Sequence, residues 1–148
     1  MADLLECLIQ IKGVADTPRR LDVRAADLMA HAASTADAER MAGEVAARLA
    51  AAELVYRDCL SMMLTVDRPA LPALPGSHAA PVVKLTAAES RAVFAARRAD
   101  TVHVLDRCSA EQLNRIGLEP SRGPMTVADL VALMLAHDTD NLGDLVLR

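Results

Sequence analysis

Apolar residues recur every three or four positions through most of the chain and almost nowhere alternate with polar ones, so the pattern predicts helices and no substantial sheet. Four stretches stand out. The first covers about Asp3 to Ala33; Thr17 followed by Pro18 is an N-cap and first-turn signal, so a kink or a break into two pieces is expected near Gly13 to Thr17. The second runs from about Asp37 to Thr65, where Met41, Val45, Leu49, Ala52, Tyr56, Cys59 and Met63 form one buried face. The third runs from Thr86, whose hydroxyl can cap with Glu89, to about Cys108, with Val93, Phe94, Arg97, Val104 and Leu105 along its seams. A short turn opened by Ser109 and a loop of Gly117, Pro120, Gly123 and Pro124 lead to the last helix, from Thr126 to about Leu147. Within it Leu130 to Ala136 is apolar all round, so this element is expected to be the most buried of the four.

The connection from Asp67 to Leu85, with Pro69, Pro72, Pro75 and Pro81, is much longer than antiparallel neighbours in a bundle need. Extended at ~3.3 Å per residue it reaches about 60 Å, twice the ~30 Å of a 20-residue helix. Helices two and three can therefore lie parallel. The expected architecture is all-α, a four-helix bundle with a long Pro-rich crossover between helices 2 and 3, built as one domain over 1–148.

Composition narrows the function. Tyr56 and Phe94 are the only Tyr and Phe, Trp is absent, and the formal net charge is −4, so both the basic field and the stacking platforms that nucleic acids need are missing. No stretch reaches the ~18 apolar residues of a membrane span, and the acidic N-terminus does not read as a signal peptide. Cys7, Cys59 and Cys108 have no paired spacing and fit small reduced core residues in a cytoplasm. Arginine outnumbers lysine fourteen to two, a usage expected of a GC-rich bacterial source.

Candidate chemistry gathers on the last helix. His137, Asn141 and Asp144 stand at i, i+4 and i+7, on one face that continues the apolar row of Leu130 and Met134. On helix two, Arg48 lies between Val45 and Ala52 at helical spacing. It either borders the stripe, paired with Glu44, or points inward, where a charge needs a partner. The remaining histidines read as structural or solvated: His31 near a helix end, His78 in the Pro-rich loop, and His103 within the third helix.

The segment from Arg40 to Glu53 resembles the second-helix signature of the DinB-like (DinB/YfiT) superfamily, which usually reads Trp-Ser, two residues, Glu-Val, two residues, His-Leu, then Glu. Gly117 through Gly123, Thr126 to Leu130, and His137-Asp138-Thr139-Asp140-Asn141-Leu142 resemble its closing pattern: a Gly/Pro loop, a Thr-capped helix and a His-Asp-x-x-His-Leu run. The resemblance covers nearly the whole chain. It implies a four-helix bundle, often a homodimer, and in many members one divalent metal such as nickel, zinc or manganese on three histidines, with open positions for water or thiol.

Carried over by position, the three ligand sites fall on Arg48, His137 and Asn141, and only His137 matches. One imidazole and an amide oxygen make a poor site, and a guanidinium at ~4 Å opposes a +2 ion by about 8 kcal/mol at an effective dielectric of 20. No metal cofactor is therefore expected. Arg48 is expected to replace it as the cation, with Asp144 as its carboxylate partner and His137 and Asn141 completing a polar cluster. The expected function is a small-ligand binding or interaction module for a small anion such as a carboxylate. The alternative is a thiol-dependent S-transferase or isomerase of the mycothiol or bacillithiol type, in which Arg48 lowers a thiol's pKa and His137 is the base. Its cofactors would be a divalent metal or a low-molecular-weight thiol.

Overall fold

The computed structural model of the protein describes residues 3–76 and 84–146. Four long helices pack together: α1 (Leu4–His31), α2 (Thr35–Thr65), α3 (Ala87–Leu105) and α5 (Val127–Gly143). Between the last two come a single-turn helix, α4 (Ala110–Leu113), and two short strands, β1 (Ile116–Glu119) and β2 (Gly123–Thr126). Side-chain oxygens open every helix: Asp3, Ser34, Thr86, Ser109 and Thr126 each accept from a backbone N–H of the first turn. Ser109 with Gln112 and Thr126 with Asp129 close full capping boxes. The last helix stops at Gly143, short of the expected Leu147, with Asp144 as its C-cap.

Contacts along the helices define their directions. Gly43, Glu53 and Arg57 of α2 meet Ala87, Arg98 and Asp100 of α3 in rising order, so α2 and α3 are parallel, as the long crossover allows. Gly43 faces Ala87 at this contact; a Cβ there would stand 3.7 Å from the Ala87 Cα, an ordinary van der Waals distance. Gly13, Thr17 and Arg24 of α1 meet Leu135, Asp138 and Leu142 of α5, so these two are also parallel. The described part of the crossover is strapped to β1. Leu71 N–H donates to the Leu118 carbonyl and Leu118 N–H to the Pro69 carbonyl, both at 2.8 Å. Leu74 N–H donates to Glu119 Oε1 at 3.3 Å. Pro81 and His78 lie outside the described residues.

Several expectations are corrected. Helix α1 is one element with Pro18 inside it. The N–H that proline lacks would have bonded the Val14 carbonyl, and Arg98 Nη1 donates to that carbonyl instead, at 2.8 Å. The Gly/Pro loop is an antiparallel hairpin pairing Ile116 with Thr126 through Glu119 with Gly123; strands this short carry too few alternations to register as a pattern. Helix α3 ends at Leu105. In α5, nine of 17 residues are buried, the largest share of any long helix, yet Ala136 is exposed, so the apolar run does not bury every side.

Among the described residues the core divides into two large apolar clusters and a small one of Ala25, Ala42 and Ala87. One large cluster gathers Val14, Tyr56, Leu60, Leu105 and Met134, and the other Leu21, Leu49, Phe94 and Leu142. On each long helix the residues between the two clusters are polar: Thr17, Glu53, Arg98, and the run of His137, Asp138 and Asn141. No helix among the described residues is long and apolar enough to cross a membrane.

Candidate functional site

At the centre of the polar layer lies Arg98, 1% exposed, between two carboxylates that are fully buried. Nη1 and Nη2 donate to the two oxygens of Asp138 at 2.6 and 3.0 Å, and Nε donates to Glu53 Oε2 at 2.9 Å. Thr17 Oγ1 adds a 2.7 Å bond to Asp138 Oδ2, and the Phe94 ring lies 4.9 Å from the guanidinium carbon. Burial opposes the charge on Arg98, but the bonds to Asp138 and Glu53 outweigh it and raise its pKa. This cluster ties all four long helices together. Sequence reasoning placed Arg97 on the seam, whereas Arg97 is half-buried and donates to the Ala50 carbonyl at 2.7 Å. The signal that could have found Arg98 is its position one turn after Phe94, a charge on an apolar row.

Of the four candidate residues, the structure joins two pairs. Arg48 Nη2 donates to Asp144 Oδ2 at 2.8 Å, so the pairing across 96 positions is present, with Asp144 rather than Glu44 as the partner. The Arg48 side chain is 15% exposed and that of Asp144 36%, so Asp144 lies at the edge of the bundle and not in its interior. Asn141 and His137, one and two turns earlier on α5, are buried. Asn141 Nδ2 donates to the His137 carbonyl at 2.9 Å and lies 3.4 Å from His137 Nε2. The His137 ring meets Tyr56 edge-on, centroids 5.8 Å apart. Burial pushes the imidazole below its usual range, against the pull of the Asp138 carboxylate and the Gly76 backbone. His31 and His103 are exposed.

The two pairs do not share one opening. A cleft of about 380 Å³ runs between α2 and the end of α5, lined by Arg40, Met41, Glu44, Val45, Arg48, Gly143, Asp144 and Val146. His137 and Asn141 do not line it. Inside the bundle, Arg48 Nε, His137 Nδ1, Asn141 Oδ1 and Glu53 Oε1 are buried without a hydrogen-bond partner among the described residues. The cysteines are not part of this arrangement: Cys7 and Cys59 are buried free thiols, and burial pushes Cys59 up to about 11.

Against the three imidazoles that the sequence resemblance implies, the chain sets a guanidinium already engaged by a carboxylate, one imidazole and one amide. That donor set does not fit a divalent ion. Among the described residues no group of three or more His, Cys, Asp and Glu is gathered as a metal would require.

The sequence profile of the DinB superfamily matches residues 14–145. A search of curated proteins finds no match. Among solved structures the fold is similar to one described as "YfiT from Bacillus subtilis is a probable metal-dependent hydrolase with an unusual four-helix bundle topology". The two are 14% identical, superpose with a TM-score of 0.76, and the match covers 98% of this chain and 86% of that one.

Proposed function

The chain belongs to the DinB superfamily, and from that premise we propose that it is a small-ligand binding module that works without a catalytic divalent metal and takes a small anion, such as a carboxylate, at Arg48. The observation that carries this reading is the Arg48 guanidinium itself. Asp144 holds it by Nη2 at 2.8 Å, in a cleft, at the helix-two position where the family resemblance implies a histidine ligand. The Arg48 side chain is 15% exposed and lines that cleft, so an arriving oxygen can meet its guanidinium there. The same reading keeps this acidic protein in the cytoplasm and away from nucleic acid.

Three measurements test it. Elemental analysis of untagged protein is expected to find no stoichiometric nickel, zinc or manganese; one equivalent of any of these overturns the reading. In a thermal-shift screen of short carboxylates, a ligand at 100 times its Kd is expected to add about 2.7 kcal/mol of stability. The double variant Arg48→His, Asn141→His is expected to gain divalent-metal binding, because it supplies the two missing imidazoles beside His137. The S-transferase or isomerase alternative needs Arg48 and His137 at one opening, and the cleft has only Arg48.

A further inference from the structure

Resting on the anion-binding reading and narrowing it, we propose that the cleft between α2 and α5 takes a small zwitterion, an α-amino acid with an apolar side chain. Charges alternate in sign along its wall. Arg40, Glu44 and Arg48 follow at steps of four on α2, about 6 Å from one to the next. Asp144 of α5 meets the last of them at 2.8 Å. Two cations and two carboxylates cancel. A dianion such as phosphate would meet both carboxylates at once, and a simple monoanion would leave Glu44 beside a ligand of its own sign.

A zwitterion answers both signs. Its carboxylate goes to the Arg48 guanidinium, which lines the cleft and is held there through Nη2 by Asp144. Its ammonium goes to Glu44, one turn away. Glu44 now accepts from Arg40 at 3.1 Å, but that pair is 42% and 59% exposed, a solvent-screened contact that a ligand ammonium displaces cheaply. Met41, Val45 and Val146 supply apolar surface for a side chain, and about 380 Å³ lies at the small end of ligand pockets.

Isothermal titration of the full chain with leucine, isocaproate (leucine without its ammonium), isoamylamine (leucine without its carboxylate) and inorganic phosphate tests the assignment. Leucine is expected to bind about tenfold or more tighter than each of the other three. Glu44→Gln, at an exposed position, is expected to weaken leucine and to strengthen isocaproate, so that the two affinities converge. Arg48→Lys keeps the charge but removes the planar fork of donors, and is expected to weaken both, with circular dichroism verifying its fold. Isocaproate or phosphate binding as tightly as leucine, or no effect of Glu44→Gln on leucine, overturns the zwitterion and leaves the anion reading standing. No binding of any compound by wild type overturns both.

Discussion

Arg98 carries the largest single-residue consequence in the molecule. Among the described residues no other cation is paired with Glu53 or Asp138, so Arg98→Met strands two carboxylates and is expected to cost about 3–5 kcal/mol in urea unfolding. Thr17→Val removes one bond to Asp138 and keeps the ion pairs; about 1.5–2 kcal/mol is expected. His137 sets a pH dependence. Its imidazole titrates below the usual 6.5 in the fold, with burial and Arg98 acting against Asp138, Asp140 and the Gly76 backbone. The unfolded chain therefore binds more protons just below pH 6.5, and stability, full above that value, declines as the pH falls toward the folded pKa. Urea midpoints followed from pH 7.5 to 5.5 are expected to drop more for wild type than for His137→Gln. Some of these residues were legible in advance and some were not. His137 and Asn141 announced themselves by sharing a face with Met134, but the choice between Arg97 and Arg98 depended on the exact roll of α3, which one turn of weak apolar pattern does not specify.

Among the elements, the crossover and the hairpin hold each other in place. A Cβ at Gly117 would stand 2.7 Å from Leu71 Cδ1, 2.9 Å from Leu71 Cγ and 3.0 Å from Met63 Cγ, so in Gly117→Ala the Leu71 side chain, between the crossover and β1, must shift. A loss of about 1–3 kcal/mol in thermal or chemical unfolding is expected. Glu119 is the second fastening. Its buried carboxylate accepts from the N–H groups of Leu74, Ser121 and Arg122. Burial works against its charged form, yet the Ser121, Arg122 and Leu74 bonds outweigh burial and hold its pKa down. Glu119→Gln weakens these bonds, and limited proteolysis is expected to cut faster near Leu74 than in wild type; unchanged cutting would show that the backbone bridge through Leu71 and Leu118 is enough. Helix boundaries followed the caps closely, because a Ser, Thr or Asp oxygen decides the first turn locally. Pro18 was the exception. The local rule allowed a kink or a break; the helix does not break, and a distant arginine bonds the carbonyl that the rule leaves bare.

At the scale of the molecule, a polar layer crosses a core that would otherwise be continuous. The apolar clusters on either side are joined through Arg98, which bonds α1, α2 and α5 from α3. We expect the two halves to unfold together in wild type. Fluorescence of Tyr56, the single tyrosine and a member of one cluster, should then trace the same urea transition as helical circular dichroism; separate midpoints would show that the halves melt independently. Specificity is what such a layer can supply, since a slip of one helix by a turn would leave buried charges unpaired.

By itself the sequence determined the helices, most of their caps, the need for a crossover long enough to run the length of the bundle, and the mismatch at Arg48 and Asn141, because all of these follow from local periodicity, chain length and residue chemistry. Only the tertiary structure decided that Arg48 takes Asp144 and leaves Glu44 to Arg40, that His137 and Asn141 lie behind the cleft rather than in it, and that Arg98 fastens the core. Each of those depends on how two helices far apart in sequence are rolled and offset against each other, and a rotation of one residue changes which side chain faces inward without altering the pattern along the chain.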